Sequence, residues 1–289
     1  MRVKVRATRV LPGPSWKELG EVEIAPVESP GPDVDVLVVT NEPVDLDLFP
    51  SLRLIANFSV GYDRIDVEAC RARGVAVTNT PGVLDAATAD LALALMLAAR
   101  RGLVMGDRLV RSGGWKTHWA SQHLGREVSG ATLGIVGLGR IGSAVARRAR
   151  GFDMTVQHVS RSEGDLDELL RTSDIVSLHV PLSAETTGLI SRERLGLLQD
   201  GATLVNTARG AIVEEDGLVD ELVSGRITAG LDVFVHEPNV PPQLFDLPNV
   251  VLTPHIASAT VETRAAMTRV VVDNVLAFLH GEPLLNPVF

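Results

Sequence analysis

One stretch constrains this chain more than any other: Ala131 to Arg147, ATLGIVGLGRIGSAVAR. A short apolar run, Leu133 to Val136, meets Gly137-x-Gly139-x-x-Gly142 and then a segment of helical period. Strand, tight turn and helix in that order are what a dinucleotide-binding crossover requires. Gly137 permits the sharp exit from the strand, Gly139 lets backbone N–H groups approach a pyrophosphate, and Gly142 brings the helix close to the strand. The helix then begins at the anion, which satisfies its unpaired first-turn N–H groups.

A chain of 289 residues is long enough for two cores. Its formal net charge of -9 argues against nucleic acid as the main partner, because duplex binding needs a basic face. The single cysteine, Cys70, has no disulfide partner and no thiolate companion for a metal site, so no metal is expected and a reducing, cytoplasmic compartment is the simplest setting. No signal-peptide pattern opens the sequence, and the most apolar run, Leu91 to Ala99, is too short to span a bilayer, so no membrane partner is expected.

Before the glycine turn, strand-like runs at Arg2 to Ala7, Glu21 to Ile24, Val34 to Thr40, Leu52 to Asn57 and Val75 to Asn79 alternate with Pro- and Gly-rich punctuation, the signature of a small α/β domain. Ser59 to Asp66 (SVGYDRID) follows a strand and reads equally as a ligand loop or as an ordinary βα turn. Thr88 to Arg101 reads as a long apolar helix, wet at neither face and suited to a place between two domains. Gly102 to Gly130 is less regular; its Trp115 and Trp119 suit an oligomer arm, a lid, or a cap on the domain junction.

After the turn, strands are expected at Thr155 to Val159, Asp174 to Val180, Ala202 to Asn206, Ile227 to Phe234 and Val250 to Thr253, with helices between them, as in a doubly wound parallel sheet. A last helix covers Val261 to His280 and returns to the first domain. The strand Thr155 to Val159 ends in Ser160-Arg161-Ser162, where an NAD-reading crossover carries an acid for the ribose 2′-hydroxyl. A guanidinium between two hydroxyls suits a 2′-phosphate instead, so NADPH is expected to be preferred, with NADH as the lesser cofactor.

Arg209, Glu237 and His255 each follow a strand's carboxyl end, and in a parallel sheet those ends share one edge with the glycine turn. Arg209 offers a fork of donors for a carboxylate. His255 can give or take one proton near neutrality, and Glu237, hydrogen-bonded to it, favours the charged imidazolium. That set suits carbonyl reduction: hydride to a keto carbon, a proton from His255 to the developing alkoxide, and Arg209 on the acid group.

The motifs SVGYDRID, GLGRIG, HVPLSAETTGLI, LVNTARGAIVEE, AGLDVFVHEP and NVVLTPHIAS, in this order, resemble the D-isomer-specific 2-hydroxyacid dehydrogenases over essentially the whole chain. The resemblance implies two doubly wound parallel-sheet α/β domains with the active site in the cleft between them: a flavodoxin-like substrate domain (1–97 and 263–289) and a Rossmann cofactor domain (98–262). It implies Arg209, Glu237 and His255 as the catalytic set, and Val60 and Gly61 as backbone donors to the substrate carboxylate. Arg140 and Ile141 are implied at the pyrophosphate, Pro181 and Thr207 around the ribose and nicotinamide, and Asp232 at the nicotinamide amide, with Thr186 and Ala257 completing the cofactor side. A homodimer through the cofactor domain is also implied. The VSRS ending and the tryptophan-bearing arm are most similar to NADPH-preferring glyoxylate and hydroxypyruvate reductases, in which a neighbouring subunit's tryptophan can line the pocket. Sister activities on phosphoglycerate, lactate or another 2-hydroxy acid, and a cofactor-sensing binding protein, are the competing readings.

Overall fold

The computed structural model describes residues 3–116 and 124–289, so the expectation for Trp119 lies outside the described residues. The chain divides into two compact units, Met1–Leu84 with Ser258–Phe289, and Asp85–Ala257.

The smaller unit holds five parallel strands: β1 (Val5–Ala7), β2 (Glu23–Ile24), β3 (Val36–Val39), β4 (Leu54–Asn57) and β5 (Ala76–Thr78), with helix α1 (Val67–Ala72) between the last two. Their order, β2-β1-β3-β4-β5, is that of a flavodoxin-like sheet. β3 and β4 are buried along their whole length, which explains why they read as continuous apolar runs and not as alternating ones. Leu37, Val39, Phe49, Ile55 and Val77 form its core.

The larger unit opens with helices α2 (Asp85–Arg100) and α3 (Leu103–Arg111). Strand β6 (Thr132–Val136), helix α4 (Arg140–Ala149), β7 (Thr155–Val159), α5 (Leu166–Thr172), β8 (Ile175–Leu178) and the single turn α6 (Arg192–Leu195) follow. They lead to β9 (Thr203–Asn206), α7 (Glu215–Val223), β10 (Thr228–Leu231) and β11 (Val250–Leu252). All six strands run parallel in the order β11-β10-β9-β8-β6-β7. The connection from β7 to β8 passes over β6, so the turn after β6 sits where the strand order reverses, the place at which open α/β sheets bind ligands.

Alternate side chains of each strand enter opposite cores. Ile175 and Val205 join Leu95, Met96 and Val145 from α2 and α4 on one face, whereas Val176 and Leu204 join Leu170, Leu218 and Leu222 from α5 and α7 on the other. α2 is not dry all round. Ala86, Asp90 and Ala94, four residues apart, form an exposed stripe, and Asp90 takes a 2.6 Å hydrogen bond from Arg148 of α4. That ion pair and the shared core account for α2 belonging with the larger unit. The chain crosses between units after Leu84 and after Ala257, whereas the resemblance implies boundaries at 97 and 262.

The last helix, α8 (Val261–His280), starts on a Thr260 cap and ends at Gly281 in the left-handed region. It packs in the smaller unit, where Arg269 pairs with Glu18 at 2.6 Å. The chain terminus then runs beside β5, with Val288 N donating to Val77 O at 2.9 Å.

Candidate active site

The glycine turn has the form its sequence implies. Gly137 has φ +97°, and a Cβ there would lie 2.8 Å from the His179 carbonyl; one on Gly142 would lie 2.1 Å from the Gly137 oxygen. Neither position admits a side chain. Gly139 has no other atom within 4 Å of its missing Cβ, so the space over the turn is open, and α4 begins there without a side-chain cap. Arg140, its first residue, reaches Asp85 at 3.6 Å. Beneath the turn, the His179 imidazole lies 2.8 Å from Ser177 Oγ, and burial pushes its pKa down to about 4, so it is neutral at physiological pH.

The order of strands sets the order of groups along the carboxyl edge. Arg161 follows β7, the glycine turn β6, Pro181 β8, Thr207 and Arg209 β9, Asp232 and Glu237 β10, and His255 β11. Arg209 is fixed through its backbone: the Asn206 amide donates to Arg209 O at 2.9 Å and accepts from Ala208 N at 3.0 Å. Next to it, the Thr207 hydroxyl is buried and makes no hydrogen bond among the described residues.

Glu237 joins two loops. Its Oε1 accepts from Phe234 N at 3.0 Å, and its Oε2 accepts from His255 Nδ1 at 2.7 Å. Burial alone would raise the Glu237 pKa, but the His255 bond, the Phe234 amide and the nearby Arg209 charge together hold it below the usual carboxylate range. His255 itself sits at φ +53°, a left-handed backbone unusual for a residue with a side chain. Asp232 holds it there. The Asp232 carbonyl accepts from His255 N at 2.9 Å, Oδ1 accepts from Ile256 N and Thr253 Oγ1 at 2.8 and 2.6 Å, and Oδ2 accepts from Ala257 N at 2.8 Å.

In the smaller unit, Val60 and Gly61 follow β4. Asn57 and Asn79 side-chain amides donate to Gly61 O and Val60 O at 2.8 and 2.9 Å, turning those carbonyls inward. Among the described residues the Val60 and Gly61 N–H groups meet no acceptor. Thr186 braces its own loop, the one after β8, where its hydroxyl donates to Pro181 O at 2.6 Å and accepts from Ser183 N at 2.8 Å.

Residues 93–257 match the family model described as D-isomer specific 2-hydroxyacid dehydrogenase, NAD binding domain. The chain belongs to the D-isomer specific 2-hydroxyacid dehydrogenases. Glyoxylate reductase of Pyrococcus horikoshii is 46% identical to it over 98% of this chain and 94% of the relative. An NADPH-dependent glyoxylate/hydroxypyruvate reductase from Sinorhizobium meliloti, solved with NADP and malonate, superposes with a TM-score of 0.90 at 36% identity, covering 100% of this chain and 97% of that one. D-Lactate dehydrogenase from Aquifex aeolicus, solved with NAD and lactic acid, gives 0.84 at 31% identity over 95% and 94% of the two chains.

This dehydrogenase is therefore an oxidoreductase that uses a nicotinamide cofactor. Its own residues fit such a dinucleotide: an open space over Gly139, a helix start without a side-chain cap for the pyrophosphate, and a buried Thr207 hydroxyl that has no partner among the described residues. Sequence reasoning does not reach Asn206, Asp85, or Glu215, whose Oε1 accepts from Val235 N at 3.2 Å in the loop that carries Glu237. Only Asn206 leaves a signal, as an Asn at a strand end two residues before a turn amide. Among the described residues no helix is long and apolar enough to cross a membrane.

Proposed function

We propose that this dehydrogenase reduces glyoxylate, and hydroxypyruvate as its near homologue in chemistry, with NADPH as the preferred hydride donor. The observation that carries the reading is the 2.7 Å bond from His255 to Glu237, with Arg209 close enough to depress the same carboxylate. An imidazolium hydrogen-bonded to a carboxylate keeps its second ring nitrogen as a proton donor, and a guanidinium holds a carboxylate by paired hydrogen bonds.

Bound cofactor supplies a hydride to the keto carbon. The protein's residues do the rest. Arg209 holds the substrate carboxylate and fixes the carbonyl's direction, while His255 Nε2 delivers a proton to the oxygen as charge develops on it. Glu237, accepting from Nδ1, keeps the ring in the orientation that step needs. The resemblance assigns the carboxylate a second set of donors, the Val60 and Gly61 N–H groups, and their open state supports that part of the reading.

Preference for NADPH is supported by the turn after β7. Ser160 N donates to Glu163 O at 2.8 Å, closing a turn with Arg161 and Ser162 at its tip, and the Arg161 side chain is 89% exposed. No acid occupies Ser160, Arg161 or Ser162 to accept from a ribose 2′-hydroxyl. The relative solved with NADP is in accord with this.

Steady-state reduction of a keto-acid panel with each cofactor tests the proposal. Glyoxylate with NADPH is expected to give the highest kcat/KM. His255→Ala is expected to lower kcat severely with the NADPH KM kept, and Arg209→Ala to act chiefly through the keto-acid KM. Near wild-type glyoxylate reduction by both variants would refute the mechanism, and a clear NADH preference would refute the cofactor assignment.

A further inference from the structure

We infer that Glu185 moderates this enzyme's preference for NADPH by competing with the 2′-phosphate for the Arg161 guanidinium. The inference rests on the NADPH reading above. In the sheet β6 lies between β7 and β8, so the loops that follow β7 and β8 flank the glycine turn on either side. Arg161 stands on the first of these loops and Glu185 on the second, and their side chains meet, Nη2 to Oε2, at 3.9 Å. The contact therefore joins the two loops on either side of the dinucleotide turn.

Glu185 is held in a defined place. The Ser183 hydroxyl donates to the same Oε2 at 3.3 Å, and the turn that carries both is closed by Ser183 N on Thr186 Oγ1 and by the Thr186 hydroxyl on Pro181 O. Two nearby carboxylates are engaged elsewhere: Glu163 faces His158 Nε2 at 3.6 Å, and Asp165 caps α5 by accepting from Asp167 N and Glu168 N. Among the described residues Glu185 is thus the acid that pairs with Arg161.

Electrostatics gives the sign. A phosphate monoester carries about -1.5 to -2 charges near neutral pH. Seated on Arg161, it takes over the guanidinium and stands close to the Glu185 carboxylate, so the resting ion pair opposes it twice: as a competitor and as a like charge. The 2′-hydroxyl of NADH brings no charge and meets neither penalty. Both side chains are largely exposed, so solvent screens the effect and its size is modest, about two- to fivefold in affinity.

The test measures kcat/KM for NADPH and NADH on wild type, Glu185→Gln, Arg161→Ala and the double variant, with glyoxylate in excess. For Glu185→Gln the NADPH KM is expected to fall about two- to fivefold and kcat to hold, so that the NADPH/NADH ratio of kcat/KM rises. The gain is expected to shrink in high salt and to vanish on the Arg161→Ala background. An unchanged or lowered ratio in Glu185→Gln overturns the inference; equal changes for both cofactors, the mark of a purely structural role for the loop, leave the ratio unchanged and overturn it as well. Arg161→Ala separates the two levels of failure. If it collapses the ratio while Glu185→Gln leaves it alone, only the role of Glu185 fails. If Arg161→Ala leaves the ratio alone, the 2′-phosphate assignment fails and this inference with it.

Discussion

A left-handed backbone at His255 costs roughly 1 kcal/mol or more and has to be held by its surroundings. Asp232 does this with one carbonyl and both carboxylate oxygens, in a site with no solvent exposure. Burial raises the Asp232 pKa above the ordinary aspartate value, against the pull of Thr253, Ile256 and Ala257. A carboxylate whose folded pKa is raised binds its proton more tightly in the native chain than in the unfolded one. Above that pKa its ionisation therefore subtracts from stability. Asp232→Asn removes that cost but turns an N–H group toward Ala257 N, where an acceptor is needed. The two effects oppose each other in stability, whereas only the second bears on where His255 points. The variant is expected to lose at least about tenfold in kcat while Tm changes by less than about 4 °C, read by steady-state kinetics and thermal unfolding. Wild-type kcat in Asp232→Asn would show that the carboxylate does not position His255. At this scale the sequence made the placement of Arg209, Glu237 and His255 along one edge legible, because each follows a strand end of one parallel sheet. It hid how they are held: Glu215 and, in its bracing role, Asp232 act on backbone amides, which leave no pattern in side-chain type, and only Asn206, at a strand end before a turn, leaves a signal.

Among the elements, the glycine turn separates what the fold needs from what the ligand needs. Gly142 lies against the Gly137 oxygen, so a methyl at 142 forces backbone apart. Gly139 has φ -74° and free space around it, so a methyl at 139 costs the protein almost nothing and occupies room the cofactor would use. Gly142→Ala is expected to destabilise by about 1–3 kcal/mol and to weaken cofactor binding. Gly139→Ala is expected to keep the wild-type Tm and raise the NADPH KM by about tenfold or more, as about 1.4 kcal/mol or more of lost contact implies. Equal loss of Tm in the two variants would reject this division. The elements were legible where a cap marks them: α8 spans the residues its sequence pattern gives, between Thr260 and Gly281. Strands read longer than they are. The expected strand Ile227 to Phe234 stops at Leu231; Asp232 N still donates to Asn206 O at 3.0 Å, and Val233 and Phe234 then turn away into the loop that reaches Glu237. Short helices leave little trace, α1 and α5 among them, because six or seven residues carry too few turns for an apolar period to register, although Asp165 caps α5 by accepting from Asp167 N and Glu168 N.

For the whole molecule, the strand-helix alternation pointed to two parallel-sheet domains, and both sheets are parallel throughout. The chain crossings were less legible, since α2 is apolar on most of its surface and its sequence does not say which core it joins. The helix after it raises the question of a second copy. α3 has nine residues and not one of them is fully buried, with Leu103 64% and Val110 58% exposed. A helix of that length has little stability of its own, so an amphipathic stretch like this gains most when another surface covers its apolar side. The family resemblance supplies the occupant, a second copy of the chain meeting this arm, and a homodimer is the state we propose. Sedimentation at micromolar concentration is expected to give twice the 30.9 kDa chain mass for wild type and a single chain mass for the double variant Leu103→Glu, Val110→Glu. The glycine turn, Arg209, Glu237 and His255 all lie within Asp85–Ala257, and none of them is on α3. NADPH binding, followed by cofactor fluorescence, is therefore expected to persist in the monomeric variant. A wild-type chain that sediments as a monomer, or a double variant that remains dimeric, would remove α3 from the interface.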